Sequence, residues 1–142
     1  MLRHHLLALV CITSAVAGDH SGGRDVINGD LKIPLETLPV VAIAKSGEET
    51  IVSVKNPSSE PLTYAGYAQD SPQVYRERRE GDRWVVGGWL VSAATVGPYT
   101  LQPGQTVDFR LSRNSTAAER IYAIFSNPGG QKSSLVLLLE TR

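Results

Sequence analysis

The chain has 142 residues, with 14 Lys plus Arg against 14 Asp plus Glu, a hydrophobic fraction of 42% and a single cysteine, Cys11. That length suits one compact domain, and the balanced charge excludes a strongly basic nucleic-acid binder and gives no pull toward an anionic membrane surface. The hydrophobic fraction is ordinary for a packed domain and too high for a disordered one.

Met1 to Gly18 (MLRHHLLALVCITSAVAG) has the parts of an export signal. Arg3, His4 and His5 form a weakly positive start, Leu6 to Val16 an uncharged and mostly apolar run, and Ala15-Val16-Ala17 a small-x-small site, so cleavage is expected after Ala17 or Gly18. The run falls well short of the roughly 20 residues a membrane span needs. Cys11 follows the branched Val10, whereas a lipidated cysteine normally follows a small residue, so no lipid anchor is expected there. The expected product is periplasmic or secreted. It keeps His20 as its single histidine and has no cysteine, hence no disulfide, and must be held by its core.

Asp19 to Leu38 is rich in Gly and Asp and lacks periodicity, and it reads as a tail or linker. Within it, Val26 to Leu31 offers at most a small hairpin about Asn28-Gly29. Residues 39–142 read as one β-domain. Val40 to Lys45 and the β-branched Glu49 to Asn56 are strands joined by a turn through Gly47. Asn56-Pro57-Ser58-Ser59-Glu60-Pro61 is turn chemistry, because Pro fixes φ and Asn and Ser bond locally. Leu62 to Gln69 follows, with Gly66 at a bulge or a close approach. Gln73 to Arg79 and Arg83 to Val86 face each other across Glu80-Gly81-Asp82 as a hairpin. Leu90 to Val96 has no clear pattern, and Gly97-Pro98 reads as a break after it.

Leu101 to Gln105 reads as a turn, and Thr106 to Arg113 is the plainest strand, with Val107, Phe109 and Leu111 on one face. Asn114 to Glu119 has room for one helical turn. Arg120 to Ser126 alternates again, Asn127 to Gly130 turns, and Ser133 to Thr141 is apolar on both faces, as suits a central or covered strand. Seven to nine short strands with frequent turns predict an all-β, antiparallel two-sheet sandwich, with a closed barrel as the rival.

Two stretches carry a resemblance. Ile51 to Asn56 followed by Pro61-Leu62, and Leu101-x-Pro103-Gly104-x-Thr106-Val107-x-Phe109, resemble the strand entries of bacterial immunoglobulin-like domains. The layout is also similar to small bacterial proteinase-inhibitor sandwiches. The resemblance implies an immunoglobulin-like sandwich of the cysteine-free kind.

Chemistry is sparse. His20, in a Gly-rich segment, reads as a solvated residue, no transition-metal site is expected, and no histidine stands within the β-domain to serve a nucleophile. No G-x-S-x-G or phosphate-binding loop occurs. Asp70, Glu77, Glu80, Asp82 and Asp108 are candidates for a glycosidase pair. Glu77, Glu80 and Asp82 lie among arginines, which lower a carboxylate's pKa and oppose a general-acid role, so cross-strand ion pairs on a solvated hairpin are expected instead. Asn114-Ser115-Thr116 fits a glycosylation sequon.

The most distinctive surface is Tyr75 to Trp84, with Arg76, Arg78, Arg79 and Arg83 beside Tyr75 and Trp84, and Trp89 shortly after. These residue types concentrate binding energy at protein interfaces. The alternative is that Trp84 and Trp89 anchor the core and the charges blunt an edge hairpin. The expectation is an exported, non-catalytic binding or accessory module with no cofactor, contacting another protein or an envelope component. A proteinase inhibitor acting through the Asn127–Gln131 or Asn56–Glu60 turn is the alternative, and a carbohydrate-active enzyme the remote one.

Overall fold

The computed structural model describes residues 33–47, 49–87, 95–112 and 116–142. They form ten strands: β1 (Val40–Lys45), β2 (Thr50–Lys55), β3 (Leu62–Ala68), β4 (Ser71–Pro72), β5 (Tyr75–Glu80), β6 (Arg83–Val86), β7 (Gly97–Leu101), β8 (Thr106–Leu111), β9 (Glu119–Ser126) and β10 (Ser133–Glu140). All pairings are antiparallel. The smaller sheet runs β1-β2-β8, and the larger runs β4-β3-β9-β5-β6, with β10 paired to β9 and β7 to β3. The chain is an all-β, two-sheet sandwich. It crosses between sheets after β2, β7 and β8.

Side-chain alternation builds the core. In β8, Val107, Phe109 and Leu111 are buried while Thr106, Asp108 and Arg110 are exposed. They meet Val52 and Val54 of β2, Leu62 and Tyr64 of β3, Ile121, Ala123 and Phe125 of β9, and Val136 and Leu138 of β10 in one cluster. Aromatic rings stitch the sheets together: Tyr64 meets Phe109 edge-on at 5.1 Å, and Phe109 lies 6.3 Å from Phe125. Such pairs contribute roughly 0.5–1.5 kcal/mol each beyond area burial.

Asn56 fixes the corner after β2. Fully buried, it donates through Nδ2 to the carbonyls of Glu60 (2.7 Å) and Leu101 (3.0 Å). Its Oδ1 accepts from the amide (3.0 Å) and hydroxyl (2.7 Å) of Ser58. The turn chemistry seen in the sequence is therefore also a tie between β2 and the end of β7.

Three features differ from the sequence reading. The described residues form ten strands, the two beyond those read from the sequence being β4 and β7. Gly97-Pro98 begins β7 rather than breaking the chain; among the described residues β7 pairs only with β3, and an edge tolerates a residue without an N–H. The potential helical turn is absent from residues 116–118, and Glu119 already belongs to β9. β10, read as central or covered, is covered on both faces but pairs with β9 alone among the described residues. Its apolar pattern reflects this: Val136, Leu138 and Leu139 enter the core, while Leu135 and Leu137 are half-buried on the outer face.

Residues ahead of β1 also pack. Leu35 is buried in the core, and Ser133 donates its amide to the Ile33 carbonyl (2.8 Å). Gly66 sits at a register shift between β3 and β4, where an added Cβ would meet the Ala68 carbonyl at 2.8 Å and that of Ser71 at 2.9 Å. The close approach expected there is present. The expected export signal, the small hairpin considered at 26–31, His20, Leu90 and its successors to residue 94, Trp89 and Asn114 lie outside the described residues.

Candidate functional site

The β5–β6 hairpin is built by local rules. Glu80 pairs with Arg83, leaving Gly81 and Asp82 as a two-residue loop, and Gly81 adopts a φ of 62° that favours glycine. Each cross-strand pair shares a face, so the register sorts the sequence-identified residues in two. Tyr75, Glu77 and Arg79 share the outward face with Trp84, Val86, Arg120 and Tyr122. Arg76 and Arg78 share the other face with Val85, Glu119 and Ile121.

The four arginines therefore do different things. Arg76 turns into the protein: Nη1 lies 3.3 Å from Glu119 Oε2, and Nη2 donates to the Ser112 carbonyl at 2.8 Å. The Glu119 side chain is 5% exposed, and it is the bond to Ser112 that ties β5 to the end of β8 across the sandwich. Burial lowers the Arg76 pKa, with Glu119 opposing that shift. Arg78 is exposed and pairs along its own strand with Glu80 at 2.6 Å, which is worth roughly 0–1 kcal/mol. Arg79, also exposed, donates to the Gly81 carbonyl at 3.0 Å, and Arg83 is exposed beside the loop. Only Arg78, Arg79 and Arg83 are thus presented at the tip.

The outward face carries more than the sequence indicated. Glu77, expected among solvated ion pairs, is 2% exposed and accepts from the Tyr122 hydroxyl at 3.0 Å. That is a correction with a physical cause: Glu77 points onto the sheet face, away from its neighbouring arginines Arg76 and Arg78. Trp84 lies outside the core cluster. The Arg120 guanidinium sits 4.1 Å above its ring, and Arg120 Nε lies 3.4 Å from Glu140 Oε2. Beside this stack, Tyr75, Ile124, Leu135 and Leu137 are half-buried on the same outward face. Burial, with Tyr67 adding, raises the Tyr75 pKa. A shallow groove of about 350 Å³ continues this surface, lined by Thr63, Ala65, Gln73, Tyr75, Pro98 and Ile124 among others.

The other carboxylates are scattered. Asp70 lies 3.3 Å from Arg110 Nε, Asp108 accepts from the Ser53 hydroxyl, and Glu80 holds Arg78. Among the described residues, no three His, Cys, Asp or Glu side chains gather where a metal ion would be held, and no helix is long and apolar enough to cross a membrane. Compared with protein-family models, curated proteins and solved structures, the chain finds no match. Its functional reading therefore rests on its own surface.

Sequence reasoning missed Arg120, Leu135 and Leu137 on that face, and Tyr122 buried beneath it. One signal pointed to them: Ser133 to Thr141 is apolar on both faces, so its outward side chains need some cover.

Proposed function

We propose that this chain is an exported, non-catalytic binding module on an immunoglobulin-like sandwich, and that it grips a protein or envelope component with the outward face of its larger sheet. The observation that carries this reading is the composition of that face. Tyr75, Trp84, Val86, Ile124, Leu135 and Leu137 are each partly exposed around the buried Glu77 and Tyr122, an apolar and aromatic composition where a free-standing sandwich would place polar side chains, and Arg79 and Arg83 stand beside them at the hairpin tip. Apolar patches rimmed by polar groups mark interaction sites, and aromatic and Arg side chains are the residues that most often carry their energy. The arginine forks would pair with partner carboxylates. Pairing of β2 with β8 in one sheet, and of β9 with both β10 and β3 in the other, supports the immunoglobulin-like part of the reading.

The test is affinity capture from the native envelope or culture medium, with the tagged exported product as bait. The Arg79→Ala/Arg83→Ala double variant should fold normally and capture less. Equal capture would discard the surface.

A proteinase inhibitor is the second reading. The Asn127–Gln131 turn favours it, because Pro128 to Gln131 are exposed and the turn is braced by Lys132 N–H donating to Asn127 Oδ1 at 2.8 Å. Titration against a panel of extracellular proteases separates the two, since the binding module leaves every rate unchanged.

A further inference from the structure

We propose that the groove between β3 and β9 seats a neutral sugar ring of a glycan. The proposal rests on the reading of the larger sheet's outward face as a binding surface, and names the chemistry that one part of that face takes. The groove lies where a strand ladder opens. β9 meets β3 only at Ser126, opposite Thr63, and meets β5 from Tyr122 back to Glu119. Between these points no strand pairs with that side of β9 among the described residues. The Ala118 carbonyl accepts from Arg79 on the β5 side (2.9 Å), and strand alternation turns the N–H and C=O of Ile124 to the same side, into the opening. Ala65, opposite Pro98 on β7, is too small to fill it.

The lining selects the ligand. Among the described residues no charged side chain lines the groove, so it offers no partner to a phosphate, a carboxylate or an ammonium group. Tyr75, Pro98 and Ile124 supply ring and aliphatic surface, while Thr63, Gln73 and Ser126 supply an amide and two hydroxyls. A neutral pyranose matches both halves. Its C–H faces pack on apolar surface and are drawn to aromatic faces, and its hydroxyls each donate and accept. An apolar peptide side chain would instead leave the amide and hydroxyls facing it unpaired, which costs binding energy.

The polar groups are also held in place. Gln73 donates its backbone N–H to the Ala65 carbonyl (2.8 Å), while its half-buried side-chain amide bonds no described residue. Thr63 Oγ1 donates to the Ser126 carbonyl (3.4 Å), and the Ser126 and Ser133 hydroxyls share a bond of 2.6 Å. Each hydroxyl keeps an acceptor lone pair for a ligand, and groups already fixed lose little freedom on binding. The groove's volume of about 350 Å³ stands near the lower end of small-molecule sites, which run from about 300 to 1,000 Å³. It therefore takes one ring, with the next sugar of the chain at its open rim.

Titration of the full chain with neutral tetrasaccharides of glucose, mannose, galactose and N-acetylglucosamine, followed by backbone amide NMR, tests this. At least one should bind with a Kd of about 1 mM or tighter and move the signals of residues 63–65, 73–75 and 124–126. Ala65→Leu fills the floor and should weaken binding at least about tenfold. Gln73→Ala removes the amide and should weaken it several-fold; it adds no bulk, so it decides should Ala65→Leu fail to fold. No binding by any tetrasaccharide, with partner capture still reduced by Arg79→Ala/Arg83→Ala, would overturn the inference and leave the binding face standing. Binding that ignores both groove variants, or that moves signals only elsewhere, would overturn it too. So would a captured protein that is lost on Ala65→Leu while no tetrasaccharide binds, because the groove then serves a protein.

Discussion

Asn56→Ala is expected to be among the most damaging single-side-chain truncations outside the apolar core. The amide makes four side-chain hydrogen bonds, two donated to the carbonyls of Glu60 and Leu101 and two accepted from Ser58. Leu101 is 1% exposed, so water cannot replace the donor its carbonyl loses. A buried polar group left unsatisfied costs about 1–3 kcal/mol. The contacts with Ser58 and Glu60 lie nearer solvent and add about 0.5–1 kcal/mol. The sum is about 2–4 kcal/mol, or a fall of roughly 10–20 °C in Tm for a domain of this size. Urea and thermal denaturation measure it. Asn56→Asp sharpens the test, because it keeps the acceptor for Ser58 and turns a carboxylate oxygen toward two carbonyls; it should be at least as destabilising as Ala. A loss under about 0.5 kcal/mol for Ala, or wild-type stability for Asp, would refute the reasoning.

Arg76→Ala should cost about 2–4 kcal/mol by stranding the buried Glu119, whereas Arg78→Ala should fall within about 0.5 kcal/mol of wild type; chemical denaturation of the two side by side checks this, and equal effects would contradict the assigned geometry. Gly66→Ala should cost about 1–3 kcal/mol, because its Cβ would meet two backbone carbonyls that have little freedom to move; a neutral substitution would contradict the contact. Burial, reinforced by Tyr99 and Asp70, pushes the Tyr64 hydroxyl up to about 12. Since the unfolded phenol titrates near 10, the native state holds the proton more tightly. The associated stability is complete below pH 10 and is lost as pH rises toward 12. Tyr64→Phe should lose about 1 kcal/mol at neutral pH, from its bond to the Gln69 carbonyl, and should flatten the alkaline decline; an equally steep decline in the variant would contradict it.

Much of the fold was legible because its strands obey period-two burial. β1 and β6 fall on the expected boundaries, and β8 on its expected face, because each is half-buried and flanked by turn residues. Pro98 concealed β7, since proline tells only that a strand is not central, and its edge position depends on pairing to a residue far back in the sequence. β10 is the complementary case: its two apolar faces report that both are covered, as the structure has it, and say nothing about the number of strand neighbours. The proposed interaction surface was half legible. Tyr75, Arg79, Arg83 and Trp84 stood out by type, but the division of Arg76 from Arg79 comes from the register with β9. Glu77 shows the limit most clearly. Its neighbours in sequence are arginines, whereas its hydrogen-bond partner, Tyr122, comes from a strand reached after the chain has crossed between sheets twice.

Amide hydrogen exchange of the protein, free and bound to a captured partner, bears most directly on the outward face as the proposed binding surface. Slowed exchange in Tyr75–Glu80, Arg83–Val86 and Glu119–Ser126 on binding is the result this account predicts. Protection confined to the Asn127–Gln131 turn, with those strands unchanged, would contradict it.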